Sequence, residues 1–201
     1  MILAIVIFIG YWYLFLEKTN YNRAPKTIWT YWEDPDHLDP TKRLSDHSSW
    51  KQHHPDYEVI VLTKKTYQGY VTIPEEIRAH PALNPDYLPD LIKLWVLAER
   101  GGVWMDPTVQ LTKPFDFFPK YAEFSGFQSE GVIDPSVMAC NKGSPFMIMW
   151  RDEFSQIVRF PNVEQYVESK KTAIRDPITN AIQVACEEIR KTYPKESLIL
   201  Q

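Results

Sequence analysis

One stretch constrains this chain more than any other: Asp90-Leu-Ile-Lys93-Leu-Trp-Val-Leu-Ala-Glu-Arg100-Gly101-Gly102-Val-Trp-Met-Asp106-Pro-Thr108. From Asp86 to Arg100 the apolar residues Leu91, Leu94, Trp95 and Ala98 recur at helical spacing, with Pro89 near the first turn. Gly101-Gly102 stops that helix, because glycine best tolerates the backbone conformation that follows a last turn. Val103-Trp104-Met105 then forms a short apolar strand that delivers Asp106 at its C-terminal end. In open α/β sheets ligands gather beyond the carboxyl ends of strands, so Asp106 stands where a site forms.

The rest of the chain supplies more such elements. Lys26 to Trp32 reads as a buried strand closed by the acidic turn Glu33-Asp34-Pro35-Asp36. Residues from about Pro40 to His53 read as a helix, with Leu44, His47 and Trp50 at spacings of three, and Tyr57 to Leu62 as a second strand. Two strands joined by one helix make a βαβ unit and predict an α/β sheet. Pro74 to His80 is expected to be a short helix, Ala122 to Phe127 and Ser136 to Asn141 strands, and Pro145 to Phe160 and Asp176 to Tyr193 helices. With 201 residues and no internal repeat, residues 19–201 are expected to form a single domain behind a hydrophobic segment, 1–18.

That N-terminal segment is uncharged from Met1 to Leu16 and is followed by Glu17, Lys18, Arg23 and Lys26. As a helix, 16 residues would span only ~24 Å against a hydrocarbon core of ~30 Å. A positive n-region and a small-residue cleavage site are both missing, which disfavours a cleaved signal peptide. Two readings stand side by side: a helix packed on its own domain or a second copy, or an anchor or interfacial helix. In the second, the following positive charges hold the chain on the cytoplasmic side, and no Asn-x-Ser/Thr sequon argues otherwise. The expected location is the cytoplasm or the cytoplasmic face of a membrane.

Composition excludes several classes. Net charge is −4 with no basic block, which argues against a broad nucleic-acid surface. Cys140 and Cys186 sit far apart and match no zinc spacing, which excludes a disulfide framework but leaves a single bridge open. Seven Trp and 11 Tyr beside only 7 Gly suit a pocket that stacks flat or sugar-like ligands, and equally an ordinary core.

The residues that bear chemistry cluster around the leading stretch. Asp90 and Lys93 fall one turn apart at a helix start. Asp106, with the oxygen-bearing Thr108 two positions on, suits a divalent cation bridging two phosphates. Mg²⁺ and Mn²⁺ take one or two protein oxygens and fill their other positions with phosphate and water. The plainer alternative is that Asp106 caps a turn before Pro107. His53 and His54 are better read as a helix end than as a metal pair, Trp29 as core, and Tyr31 as either a base edge or core.

Read in order, these pieces resemble nucleotide-sugar glycosyltransferases of the GT-A fold with a D-x-D motif, in particular capsular polysaccharide synthesis proteins and family 32 glycosyltransferases. Their pattern is a Ser-Asp-x-x-Arg helix, a Gly-Gly turn, an aromatic-rich strand and the D-x-D. Further matches are Pro25-Lys26-Thr27-Ile28-Trp29-Thr30-Tyr31-Trp32, then Trp50 with His54-Pro55-Asp56-Tyr57-Glu58-Val59, and Asp176-Pro177-Ile178-Thr179. The resemblance runs over about residues 25 to 180. It implies a mixed, mostly parallel sheet flanked by helices. It also implies a hexosyltransferase that moves a sugar from a UDP- or GDP-linked donor to a glycan or protein acceptor, with Mn²⁺ or Mg²⁺ and retention at the anomeric carbon.

Carried over by residue, the resemblance implies that Asp106 serves the metal and phosphate, with Thr108 in place of the second Asp. Trp32 matches a tryptophan that stacks on the nucleotide base, with Tyr31 beside it. Asp90 matches an aspartate that contacts the ribose or donor sugar. Lys93 replaces the helix arginine and keeps its charge without the bidentate fork. Gln128 and Asp134 are candidates for sugar or acceptor contacts, and Ser144 stands where many relatives carry histidine before proline. Two other classes fit the same residues. One is a nucleotide-sugar-binding protein without turnover, suggested by Thr108 and Lys93. The other is a glycoside hydrolase using Asp90 and Asp106 as a carboxylate pair, which would need neither nucleotide nor metal.

Overall fold

The computed structural model describes residues 25–33, 47–80, 85–114, 116, 123–194 and 198–200. The hydrophobic segment 1–18, the acidic turn 34–36 and the first part of the helix expected from Pro40 lie outside them.

Among the described residues six strands form one sheet. They are β1 (Thr27–Tyr31), β2 (Glu58–Leu62), β3 (Gly102–Met105), β4 (Phe124–Ser129), β5 (Val132–Cys140) and β6 (Leu198–Leu200), in the order β2-β1-β3-β5-β4-β6. β1 pairs in parallel with β2 and β3, and β4 in parallel with β6, while β5 runs antiparallel to β3 and β4. Every strand but β5 therefore points the same way, giving the mixed, mostly parallel sheet expected. The helices are α1 (Ser48–His53), α2 (Glu75–Arg78), α3 (Leu88–Arg100), α4 (Pro145–Ser155), α5 (Val163–Lys170) and α6 (Ala181–Arg190). β1, α1 and β2 make the parallel unit anticipated from the sequence.

The strand alternation sorts side chains to two faces. Trp29, Tyr31 and Trp104 join the larger core with Leu91, Leu94 and Ala98 of α3, Phe146 and Trp150 of α4, and Ile182 and Ala185 of α6. Ile28, Val103, Met105, Val137 and Ala139 pack on the other face around Trp50 of α1. The chain after β3 is tied over that second face: the Trp50 indole donates to the Val109 carbonyl at 2.9 Å, and the Leu111 N–H donates to Ser49 Oγ at 3.3 Å.

The turn between α3 and β3 demands both glycines. Gly101 has φ +68, and a Cβ there would lie 2.4 Å from the backbone nitrogen of Lys142; at Gly102, with φ +99, it would lie 2.7 Å from the Thr27 carbonyl oxygen. Glycine serves the positive φ and the close approach together. The turn sets α3 antiparallel to β3, so the helix N-terminus returns to the carboxyl edge of the sheet.

Some elements differ from the sequence expectations. The strands expected over 122–127 and 136–141 are the arms of one hairpin, joined by Glu130 (φ +52) and Gly131 (φ +82), two positive angles that match the twist of a two-residue hairpin turn. The helix expected to Phe160 ends at Ser155 and tightens into a 3₁₀ turn over Gln156–Arg159. The last helix begins at Ala181 rather than Asp176, which adopts φ +49 and cannot open a right-handed helix. Helix α5, capped by the Asn162 side chain accepting from the Gln165 N–H at 3.0 Å, was not anticipated, nor was β6. Cys140 and Cys186 are both buried thiols, so no bridge joins them. Among the described residues no helix is long and apolar enough to cross a membrane.

Candidate active site

Trp29 of β1 lies opposite Trp104 of β3. Continuing that parallel register by two residues brings Tyr31 level with Asp106, so both strands discharge their carboxyl ends at one edge. Asp106 leaves β3 still bound to the sheet: its N–H donates to the Ser136 carbonyl at 2.8 Å. Its own carbonyl accepts from the Val109 N–H at 2.9 Å, closing a turn that holds Thr108 exposed two positions on.

The Asp106 carboxylate is held through one oxygen. Oδ1 accepts the Trp104 indole N–H at 2.6 Å and lies 3.3 Å from Lys93 Nζ. The same ammonium lies 3.4 Å from Asp90 Oδ1 and 5.3 Å from the centre of the Trp104 ring. No hydrogen bond from the described residues reaches Asp106 Oδ2. Lys93 is 4% exposed, whereas the Asp90 and Asp106 side chains keep 21% and 33% of their surface. A buried lysine normally requires a partner, and this one has two. Burial pushes the Asp90 carboxyl above the usual carboxylate range, Lys93 pulls it back, and the Asp106 charge adds to the rise.

Helix and strand build this cluster for simple reasons. Lys93 follows Asp90 by one turn, so both point along one side of α3. Trp104 precedes Asp106 by two residues, so strand alternation sets indole and carboxylate on the same face of the sheet. The indole N–H thus reaches the carboxylate as a charge-assisted hydrogen bond.

The other expected site residues fall into three groups. Trp32 follows β1 at the same edge, partly exposed, with its N–H donating to the Leu62 carbonyl at 2.9 Å. Gln128 is exposed near the end of β4, and Asp134 lies on β5 opposite Phe127, its Oδ1 accepting from the Ser136 N–H at 2.9 Å. Both belong to the carboxyl edge. Tyr31 resolves toward core: it is 7% exposed, and burial, with Glu33 and Tyr67 adding to it, raises its phenol to about 12. Ser144 is a correction. Gly102 pairs with Cys140 and Met105 with Val137, so the antiparallel β5 carries Ser144 to the opposite edge from Asp106. There it is buried and caps α4, accepting from the Met147 N–H at 3.2 Å while donating to Glu123 Oε1 at 2.9 Å. A serine before proline at a helix start is a cap signal in its own right.

As expected, His53 and His54 mark the end of α1 and Trp29 is core, its indole donating to the Gly101 carbonyl at 2.8 Å. Trp104, expected only as part of an apolar strand, is the residue that holds Asp106 Oδ1. Its signal was present: an aromatic donor two residues before a strand-end aspartate.

The fold, a mixed sheet of this order with a carboxylate at a strand end beyond a Gly-Gly turn, is that of a solved glycosyltransferase. It matches the solved structure of PaToxG glycosyltransferase with a TM-score of 0.59 at 15% identity, over 86% of this chain and 71% of that one. The sequence model of the capsular polysaccharide synthesis protein family matches residues 13–175, and the chain belongs to that family. Among curated proteins no sequence matches this chain. The chain is therefore a member of the capsular polysaccharide synthesis family that shares its fold with that glycosyltransferase.

Proposed function

We propose that this protein is a glycosyltransferase that takes a sugar from a UDP- or GDP-linked donor, with a divalent cation, and transfers it with retention to a glycan or protein acceptor. The observation that carries the reading is the Asp106 carboxylate, fixed through Oδ1 at the carboxyl end of β3 with Oδ2 left over for a ligand. The donor set fits Mg²⁺ or Mn²⁺ in one particular way. Among the described residues no group of three or more His, Cys, Asp or Glu side chains is placed to hold a metal. A cation that keeps its waters and takes one or two protein oxygens plus phosphates matches Asp106 and the exposed Thr108 hydroxyl. When bound, such a cation supplies positive charge to the departing diphosphate.

The chain's own residues do the rest. Trp104 and Lys93 keep the Asp106 carboxylate in one orientation, which removes the need to reorganise it as negative charge develops on the leaving group. Trp32, at the end of β1, presents a ring beside the same edge for the base. Asp90, one helical turn from Lys93, offers a carboxylate oxygen to sugar or ribose hydroxyls. Gln128 and Asp134 extend the edge across β5 and β4 toward the acceptor.

The test is calorimetry of the protein against UDP and GDP, each with Mn²⁺ and with EDTA. One nucleotide is expected to bind only with metal, and Asp106→Ala is expected to abolish that binding. Absence of binding in every condition would refute the donor reading. The anomeric configuration of the product, read by NMR, tests retention.

A further inference from the structure

Two carboxylates here share one ammonium. Asp90 Oδ1 and Asp106 Oδ1 lie 3.4 and 3.3 Å from the same Lys93 Nζ. That nitrogen is buried, and the Trp104 ring backs it at 5.3 Å. Lys93 thus stands between two oxygens that would otherwise suit a metal ion such as Mg²⁺, which binds oxygen at ~2.0–2.1 Å. Its charge cancels one of the two carboxylates, and its ammonium would lie next to any cation taken up by Asp106. Thr108, where a second acidic residue would add charge, is neutral.

We propose that Lys93 is a built-in counter-cation that suppresses divalent metal binding to the free protein, so that the cation is retained only when a nucleotide diphosphate brings further negative charge. The role rests on the donor reading above and assigns Lys93 as a positioning residue. Coulomb repulsion between an ammonium and a divalent ion a few ångströms apart remains large even at the effective dielectric of a protein surface. A diphosphate would outweigh it by adding oxygen ligands and negative charge to the cation. Removing the ammonium leaves two adjacent carboxylates whose mutual repulsion a metal ion relieves.

The experiment is Mn²⁺ titration followed by electron paramagnetic resonance, with thermal melts, on wild type, Lys93→Met and Lys93→Arg, all without nucleotide. Wild type and Lys93→Arg are expected to bind Mn²⁺ no tighter than ~1 mM. Lys93→Met is expected to bind at least about 10-fold more tightly, and its melting temperature is expected to rise with Mn²⁺. If Lys93→Met does not fold, Lys93→Gln serves the same comparison. Wild type binding Mn²⁺ alone at micromolar concentration would overturn the proposal, as would a neutral variant that binds no tighter than wild type. A repeat with UDP or GDP present separates the two ideas. Nucleotide that fails to bind with Mn²⁺ sinks the donor reading, while the nucleotide-free titrations decide the role of Lys93 independently.

Discussion

Trp104→Phe isolates the one hydrogen bond that aims Asp106. Trp104 is 1% exposed, and its indole N–H meets Asp106 Oδ1 at 2.6 Å. Phenylalanine keeps a ring in the core and deletes that donor. A hydrogen bond to a charged group contributes about 1.5–3 kcal/mol, and the lost part of the indole leaves space costing about 1–2 kcal/mol. A total loss of about 3–4 kcal/mol is expected in urea denaturation. Lys93 still holds the same oxygen at 3.3 Å, so Asp106 stays near its place but gains freedom. About 1.4 kcal/mol of lost orientation corresponds to 10-fold weaker binding of nucleotide with Mn²⁺. Trp29→Phe is the control. Trp29 is the cross-strand partner of Trp104, 5% exposed, and its indole donates to the Gly101 carbonyl at 2.8 Å rather than to Asp106. It should lose comparable stability, with nucleotide affinity unchanged. Equal affinity losses in the two variants, or none in Trp104→Phe, would refute the idea that the indole orients Asp106.

Two further outcomes are expected. Glu123 is 4% exposed and accepts from Ser144 Oγ at 2.9 Å, the Phe146 N–H at 2.8 Å and the Tyr193 hydroxyl at 2.7 Å. Glu123→Ala strands these donors at the edge opposite Asp106, so it should destabilise by about 3 kcal/mol or more in urea while calorimetry finds nucleotide affinity intact. Burial at the end of α1, reinforced by His53 and opposed by Asp56, holds the His54 imidazole below its usual range. A depressed folded-state value means that the unfolded chain takes up protons first. The contribution of His54 is therefore complete above about pH 6.5 and is lost as pH falls below it. His54→Asn should flatten that part of the profile, as urea titrations at pH 5 and pH 7.5 would show.

What was legible in the sequence follows from how local each signal is. The α3 apolar stripe, the Gly101-Gly102 stop and the apolar run to Met105 are written in adjacent residues, and so is the placement of Asp106 at a strand end. One turn of helix likewise makes Asp90 and Lys93 neighbours without reference to anything else. The expected range of α6 was wrong at its start because a single positive φ at Asp176 outweighs an otherwise helical composition. The hairpin through Glu130 and Gly131 was missed because its two strands alternate poorly, with a register shift between Gly126 and Phe127.

The long-range choices belong to the tertiary structure. Local residue order alone specifies a strand that ends in aspartate, a helix that carries an acid and a lysine one turn apart, and a family pattern over most of the chain. Which partner Lys93 takes was decided by the Gly-Gly turn, which folds α3 back along β3 until one ammonium faces both Asp90 and Asp106. The removal of Ser144 from the site was decided by the antiparallel direction of β5, which no stretch of local sequence encodes. Helix and strand signals act over three or four residues, whereas strand order and direction depend on which hydrophobic faces bury one another, and that sum is taken over the whole fold.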